Sequence, residues 1–165
     1  MPKLNKIRLT RIRYNNNLTG IDDTIIDLAG ISTLLKLANG GGKTVLIQML
    51  LSPYVSARRR NFKGRPFSDY FKDPLPSFIV EEWVKDNRSG KFLIGLMVRK
   101  SQHGINEKEE IDDRKLDLYG FVAEYSEPCE YDIDQLQLVR QKPKSFLPFS
   151  VAKDYLENLS RIYPS

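Results

Sequence analysis

Three consecutive glycines followed by lysine and threonine, Gly40-Gly41-Gly42-Lys43-Thr44, constrain this chain more than any other stretch of it. Without Cβ atoms, successive glycines let backbone N–H groups converge on one point, which is what an anion requires. After them the period changes: Val45, Leu46, Met49 and Leu50 recur at helical spacing, so a helix is predicted from near Lys43 to before Pro53. Upstream, residues 32–37 read as a strand that delivers the chain into Asn39-Gly40. Strand, glycine turn and helix form the setting in which such a loop holds phosphate, because the helix start adds unpaired amides and the positive end of its dipole. The predicted nucleotide contacts run from Asn39 through Gly40, Gly41, Gly42 and Lys43 to Thr44. Lys43 is expected to reach the β- and γ-phosphates, and the Thr44 hydroxyl to ligate magnesium. Leu37 departs from the full pattern, which has glycine there, but it stands where the strand meets the loop, away from the tightest contacts. The plain alternative is a glycine-rich turn that precedes lysine and threonine by chance.

The remaining chain reads as strands and loops. Leu4, Ile7, Leu9 and Ile12 alternate imperfectly with Lys6, Arg8, Arg11 and Arg13, predicting a strand over 4–13 with one charged face. Asn15-Asn16-Asn17 and Thr19-Gly20 mark a turn, and a short strand over about 24–28 ends at Gly30. Residues 55–76 hold Arg58, Arg59, Arg60, Lys63 and Arg65 with no acid until Asp69, and three prolines, so they read as a basic exposed loop. Strands over 78–85 and 92–100, joined through Asn87-Arg88-Ser89-Gly90, give the clearest hairpin. An acidic loop over 106–113, strands over 116–125 and 133–139, and a helix over 150–162 capped by Ser150 complete the reading. At 165 residues the chain fits a single α/β domain over 1–165: a mixed sheet with antiparallel hairpins and the phosphate-loop helix packed against it. A lone cysteine, Cys129, excludes an internal disulfide and favours a reducing compartment. No apolar run approaches the roughly 18–20 residues that span a bilayer, so a cytoplasmic protein without membrane contact is expected. The net charge of +5 permits a polyanionic partner without demanding one.

From Leu37 to Leu50 the sequence Leu-Ala-Asn-Gly-Gly-Gly-Lys-Thr-Val-Leu-Ile-Gln-Met-Leu resembles the Walker A segment of SMC, MukB-type and related ABC ATPase heads. Ile12-Arg13 is similar to the apolar-arginine pair that ends the first strand in the DNA-repair members, and the resemblance puts Arg13 near nucleotide phosphates. Ser77-Phe78-Ile79-Val80-Glu81-Glu82-Trp83 with its hairpin partner also looks like their N-terminal lobe. The impression is nearest to large MukB-like ATPases, including the SMC subunit of Wadjet-type plasmid-defence systems. The resemblance is strong over residues 4–52, softer to 100 and weak beyond. It implies a P-loop NTPase fold that binds ATP with magnesium, as the N-terminal lobe of a split head. It also implies three partners: a C-terminal lobe of the same protein, absent from these residues, a second head, and DNA. Chromosome organisation and plasmid or phage defence both use such engines. No Leu-Ser-Gly-Gly-like signature motif and no sustained heptad run stands in the chain, so the residues themselves assign no catalytic group.

Other residues carry competing readings. Phe78-Ile79-Val80-Glu81-Glu82 looks like an apolar strand ending in magnesium-holding acids, which would make the chain a compact NTPase with Glu81 or Glu82 in the catalytic role. The bland reading is a solvent-facing acid in a hairpin, since the strand continues through Trp83 and Val84. Arg58, Arg59, Arg60, Lys63 and Arg65 could contact DNA phosphates, with Phe62 and Phe67 stacking on bases, so a non-enzymatic nucleic-acid-binding module is the other alternative. His103 with distant Cys129 makes a poor zinc site. A γ-phosphate-sensing glutamine, which the family implies, has Gln102, Gln135, Gln137 and Gln141 as candidates.

Overall fold

The computed structural model describes residues 2–14, 19–31, 34, 42–55, 57–61, 65–86, 90–100, 116–125, 133–134 and 147–148. Six strands form one sheet in the order β2-β1-β3-β4-β5-β6: β1 Lys3–Tyr14, β2 Thr19–Asp27, β3 Ser77–Val84, β4 Lys91–Lys100, β5 Leu116–Tyr125 and β6 Leu147–Pro148. Helix α1, Lys43–Leu51, packs against it, so the fold is α/β. Every pairing among the described strands is antiparallel. Of the strand expected over 32–37 only Leu34 is described, outside any strand. The expected helix over 150–162 and the loop over 106–113 lie outside the described residues, and of 133–139 only Ile133 and Asp134 are described, in a turn. Thr19 and Gly20, expected in a turn, open β2 and pair with Tyr14 and Arg13.

The uneven spacing of apolar residues in β1 has a structural cause. Its register against β3 shifts between Leu4 and Lys6, leaving Asn5 as an extra residue, and Arg11 adopts the left-handed φ of 54°. Each irregularity moves the apolar positions by one, which keeps Leu4, Ile7, Leu9 and Ile12 packed in one core. The Arg11 conformation is held from the end of the 71–76 segment: its Nε donates to the Pro76 carbonyl, and Ser77 Oγ donates to the Arg11 carbonyl at 2.7 Å. The core on this face joins Ile7, Leu9, Ile79, Leu96 and Val98 to Val45 and Met49 of α1. Burial along β3 and β4 is nearly continuous rather than alternating, as in strands covered on both faces.

Residues 55–76 depart from the expected exposed loop. They contain a short helix, α2, at Ala57–Arg60 and a 3-10 turn at Phe67–Tyr70, and Phe67, Tyr70 and Phe71 are all buried in the α1 core. The buried Gln48 amide of α1 ties them down. Its Nε2 donates to the Arg60 carbonyl at 2.7 Å, and its Oε1 accepts the Tyr70 hydroxyl at 2.9 Å. The charge pattern concealed this, because the aromatic anchors are dispersed among prolines and arginines without periodicity. Replacing Phe67 by alanine is expected to cost about 3–5 kcal/mol, read as a lower urea midpoint; an unchanged midpoint would return this segment to a solvated loop.

Candidate functional site

The amino end of α1 combines a specialised backbone with the sequence-predicted side chains. Gly42 precedes the helix at φ 83° and ψ 20°, in the left-handed region, and among the described residues no side chain caps the helix there. The first helical bond runs from the Leu46 N–H to the Gly42 carbonyl at 2.8 Å. The amides of Lys43, Thr44 and Val45 therefore precede any possible acceptor within the helix. No acid lies in the first turn, so nothing there offsets the positive end of the dipole. Lys43 is exposed and Thr44 half-buried. A Cβ on Gly42 would come within 3.3 Å of the Tyr14 hydroxyl oxygen, so backbone angle and close packing both select glycine. Tyr14 is the last residue of β1, which places the end of that strand against the helix start. Asn39, Gly40 and Gly41 lie outside the described residues.

Arg13, one residue earlier, is engaged by two carboxylates. Its Nη1 lies 2.8 Å from Asp22 Oδ1 and its Nη2 lies 3.1 Å from Asp73 Oδ2, and these bonds, Asp22 first, raise its pKa. Gly20 opposite makes this possible: a Cβ there would stand 2.5 Å from Arg13 Nη1. The guanidinium crosses β2 where a side chain is missing. Contact with a nucleotide would require it to exchange one of these acids.

Among the described residues the basic segment divides between surface and interior. Arg59 and Arg65 are exposed, the Arg58 side chain and the whole of Lys63 and Phe62 lie outside the described residues, and Arg60 is buried. Arg60 Nε donates to the Ser52 carbonyl at 3.0 Å, and its guanidinium sits 6.0 Å from the Phe67 ring centroid. The expectation that Arg60 and Phe67 stand open to nucleic acid is therefore corrected. Arg60 answers a carbonyl left over at the end of α1, and Phe67 is core.

Glu81 and Glu82 are likewise not solvent-facing. They are 1% and 0% exposed and, as neighbours on a strand, point to opposite sheet faces. Glu82 accepts Asn5 Nδ2 at 2.6 Å and lies 3.4 Å from Lys91 Nζ. Glu81 lies on the α1 face, where its Oε2 accepts hydrogen bonds from the Tyr54 hydroxyl and from Trp83 Nε1, while its Oε1 has no hydrogen-bond partner among the described residues. Burial pushes the Glu81 carboxyl up to about 8, against the opposing pull of the Tyr54 and Trp83 bonds. Tyr54 is raised in turn, first by burial and then by the Glu81 charge. Tyr54 follows the carboxyl end of α1, so about seven residues of helix, roughly 10 Å, separate this cluster from Thr44. The two glutamates and the Lys43-Thr44 start are not brought together. The sequence signal for the Glu81 cluster was present, two acids inside an apolar strand, but the partner Tyr54 could not be paired to it across 27 positions.

Among the described residues no group of three or more His, Cys, Asp or Glu side chains is placed to hold a metal ion, and no helix is long and apolar enough to cross a membrane. His103, Cys129, Gln102, Gln135, Gln137 and Gln141 fall outside the described residues. Comparison with family models, with characterised proteins and with solved structures gave no match.

The Glu81 shift has a signed consequence. A carboxyl raised from 4.5 to about 8 in the folded state binds a proton that the unfolded chain has already released between those values. Its stabilising effect is complete below about pH 4.5 and is lost as pH rises through about 8, at up to roughly 1.4 kcal/mol per pH unit. Urea unfolding from pH 5 to 9 is expected to show this decline, and Glu81→Gln to flatten it and raise stability at pH 8. An identical pH slope in the variant would assign the decline to other groups.

Proposed function

We propose that this chain is the nucleotide-binding N-terminal lobe of an SMC-like ATPase head, taking ATP with magnesium at Asn39 to Thr44. The supporting observation is the start of α1: a left-handed Gly42, uncapped amides, no acid in the first turn, and Lys43 and Thr44 next in the chain. The residue types fit the group. Lys43 would neutralise phosphate charge, Thr44 would offer magnesium a hydroxyl, and the amides would donate hydrogen bonds to the anion. Magnesium, when bound, would screen the charge between phosphate oxygens. Arg13 adjoins Tyr14 in β1, but strand alternation turns its side chain away from the α1 face and Asp22 and Asp73 hold it there, so the arginine contact implied by the resemblance draws no support from this geometry.

The outer face of α1 supports a split head. Ile47 and Leu51 are each 48% exposed and Tyr54 is 39% exposed, at spacings of four and three residues, so one apolar stripe of the helix region is uncovered. A C-terminal lobe of the same protein is the occupant this reading supplies, with a second head and DNA engaged by the complete assembly in chromosome organisation or plasmid defence. The compact-enzyme alternative is weaker because Glu81 lies by the far end of α1 and Glu82 on the opposite face of the sheet. The nucleic-acid-binding module is weaker because Arg60 and Phe67 are buried.

Calorimetry with magnesium and ATP on the chain is expected to give one site, weakened at least about tenfold by Lys43→Ala, the loss of a charge-assisted contact. Turnover should stay at background and be indifferent to Glu82→Gln. Equal ATP affinity in the Lys43→Ala variant would remove the proposal, and turnover abolished by Glu82→Gln would replace it with the compact enzyme.

A further inference from the structure

Strand β2 ends the sheet on one side, and along Thr19–Asp27 every residue is exposed except Ile21 and Ile26, which are half-buried. The direction of its backbone groups follows from the register. The Leu28 N–H donates to the Asn5 carbonyl at 2.7 Å, and these two residues continue the pairing in which Asp27 faces Lys6. In an antiparallel pair, opposed residues that exchange bonds alternate with opposed residues that do not. Leu28, Ile26 and Thr24 therefore turn their amides and carbonyls to β1, whereas Asp27, Ile25 and Asp23 turn theirs outward. Each of these three offers a donor and an acceptor away from the sheet. Over 23–27 the register with β1 runs without a shift and the strand holds no proline. Thr24, Ile25 and Ile26 are all β-branched, which favours extended pairing, and Ile25 is 39% exposed.

Charge narrows what can pair there. Strand β1 carries Lys3, Lys6, Arg8, Arg11 and Arg13 and no acid, whereas β2 carries Asp22, Asp23 and Asp27 and no basic residue. Asp23 and Asp27 share one face of β2 with Ile25 between them. A second copy paired about Ile25, the register that uses all three outward residues, would set Asp23 against Asp27 twice. Like charges directly opposite are destabilising, so the acids disfavour self-pairing. A strand with cations at those places meets the reverse, as β1 shows from the inner side: Arg8 holds Asp23 at 2.8 Å, and Lys6 lies opposite Asp27. The Asp23 side chain remains 47% exposed with Arg8 bound, which leaves room for a second cation.

We infer that the outer edge of β2 takes an extended basic segment of another polypeptide as an added strand, with basic, apolar and basic residues at alternate positions opposite Asp27, Ile25 and Asp23. Main-chain bonds supply the affinity, and the two carboxylates select the partner. Nucleic acid is repelled by the same carboxylates. This surface is independent of the α1 start, so the ATP reading neither requires it nor falls with it.

The test uses the full chain and a capped peptide of the length of β2, with lysine, valine and lysine at alternate central positions and threonine elsewhere. Its controls are a peptide of the same composition in scrambled order and one with glutamate for lysine. The alternating basic peptide is expected to bind by calorimetry and to slow amide exchange at Asp23, Ile25 and Asp27, followed by NMR. Ile25→Pro removes an outward N–H and keeps the inward ladder, and should weaken binding about fivefold or more, the loss of an edge bond. Asp23→Asn/Asp27→Asn keeps the side-chain acceptors and removes the charge. It should weaken binding about threefold or more and let the glutamate peptide compete. The inference is overturned if the basic peptide does not bind, if the scrambled peptide binds as tightly, or if exchange at the three amides is unchanged at saturation. Wild-type affinity in a folded Ile25→Pro variant overturns it too, and so does wild-type affinity in the asparagine variant, which decides the matter if the proline variant does not fold. Sedimentation showing a dimer of the chain that Ile25→Pro dissociates would replace the basic partner with a second copy.

Discussion

Strand β1 pairs with β3 from Lys3 to Thr10 and with β2 from Lys6 to Tyr14, so its middle is hydrogen-bonded on both sides, and the remainder of the molecule is arranged around it. Such a strand has little freedom to slide, since a shift of one residue would turn its apolar set outward. Its two irregular residues settle what each end presents. The extra residue Asn5 turns an amide toward the buried Glu82, and the left-handed Arg11 stands just before Ile12 and Tyr14, which join the core beside α1. One strand thus fixes the surroundings of both the Gly42 start and the buried Glu82.

The second organising element is the contact between α1 and the segment that follows it. A nine-residue helix is too short to be stable alone. Here it gains the sheet on one side and Phe67, Tyr70 and Phe71 on another, with Gln48 bonded to backbone and hydroxyl. Fixing α1 in this way fixes the direction of its dipole and of the amides at its start. A residue on the helix interior, Gln48, therefore acts on the geometry of a site it does not touch.

Much of this was legible from residue order, and the exceptions share a cause. The strand over 4–13, the helix from Lys43 and the hairpin of β3 and β4 were signalled by local periodicity, and each is present within a few residues. The β2 strand began earlier than expected because Thr19 and Gly20 look like turn residues, whereas Gly20 serves to let Arg13 cross the sheet. Arg60 and Phe67 look like surface residues because their segment is on average basic and rich in proline. Their burial depends on partners, Ser52 and Gln48, supplied by a helix several residues upstream. Glu81 and Glu82 are the sharpest case. Whether an acid in an apolar strand faces water, metal or a buried hydroxyl depends on what packs over it, and the tyrosine above Glu81 lies 27 positions away.

Trp83 is the only tryptophan in the chain, stacked nearly parallel on Phe92 with ring centres 6.3 Å apart, and its indole N–H reaches both Tyr54 and Glu81. The protein therefore carries a built-in optical label at the junction between sheet and helix end. Emission from that indole is sensitive to a neighbouring carboxyl gaining or losing charge and to any chain that settles on the Tyr54 ring. Events at the uncovered side of α1 can thus be followed by light from a native residue, with no dye attached.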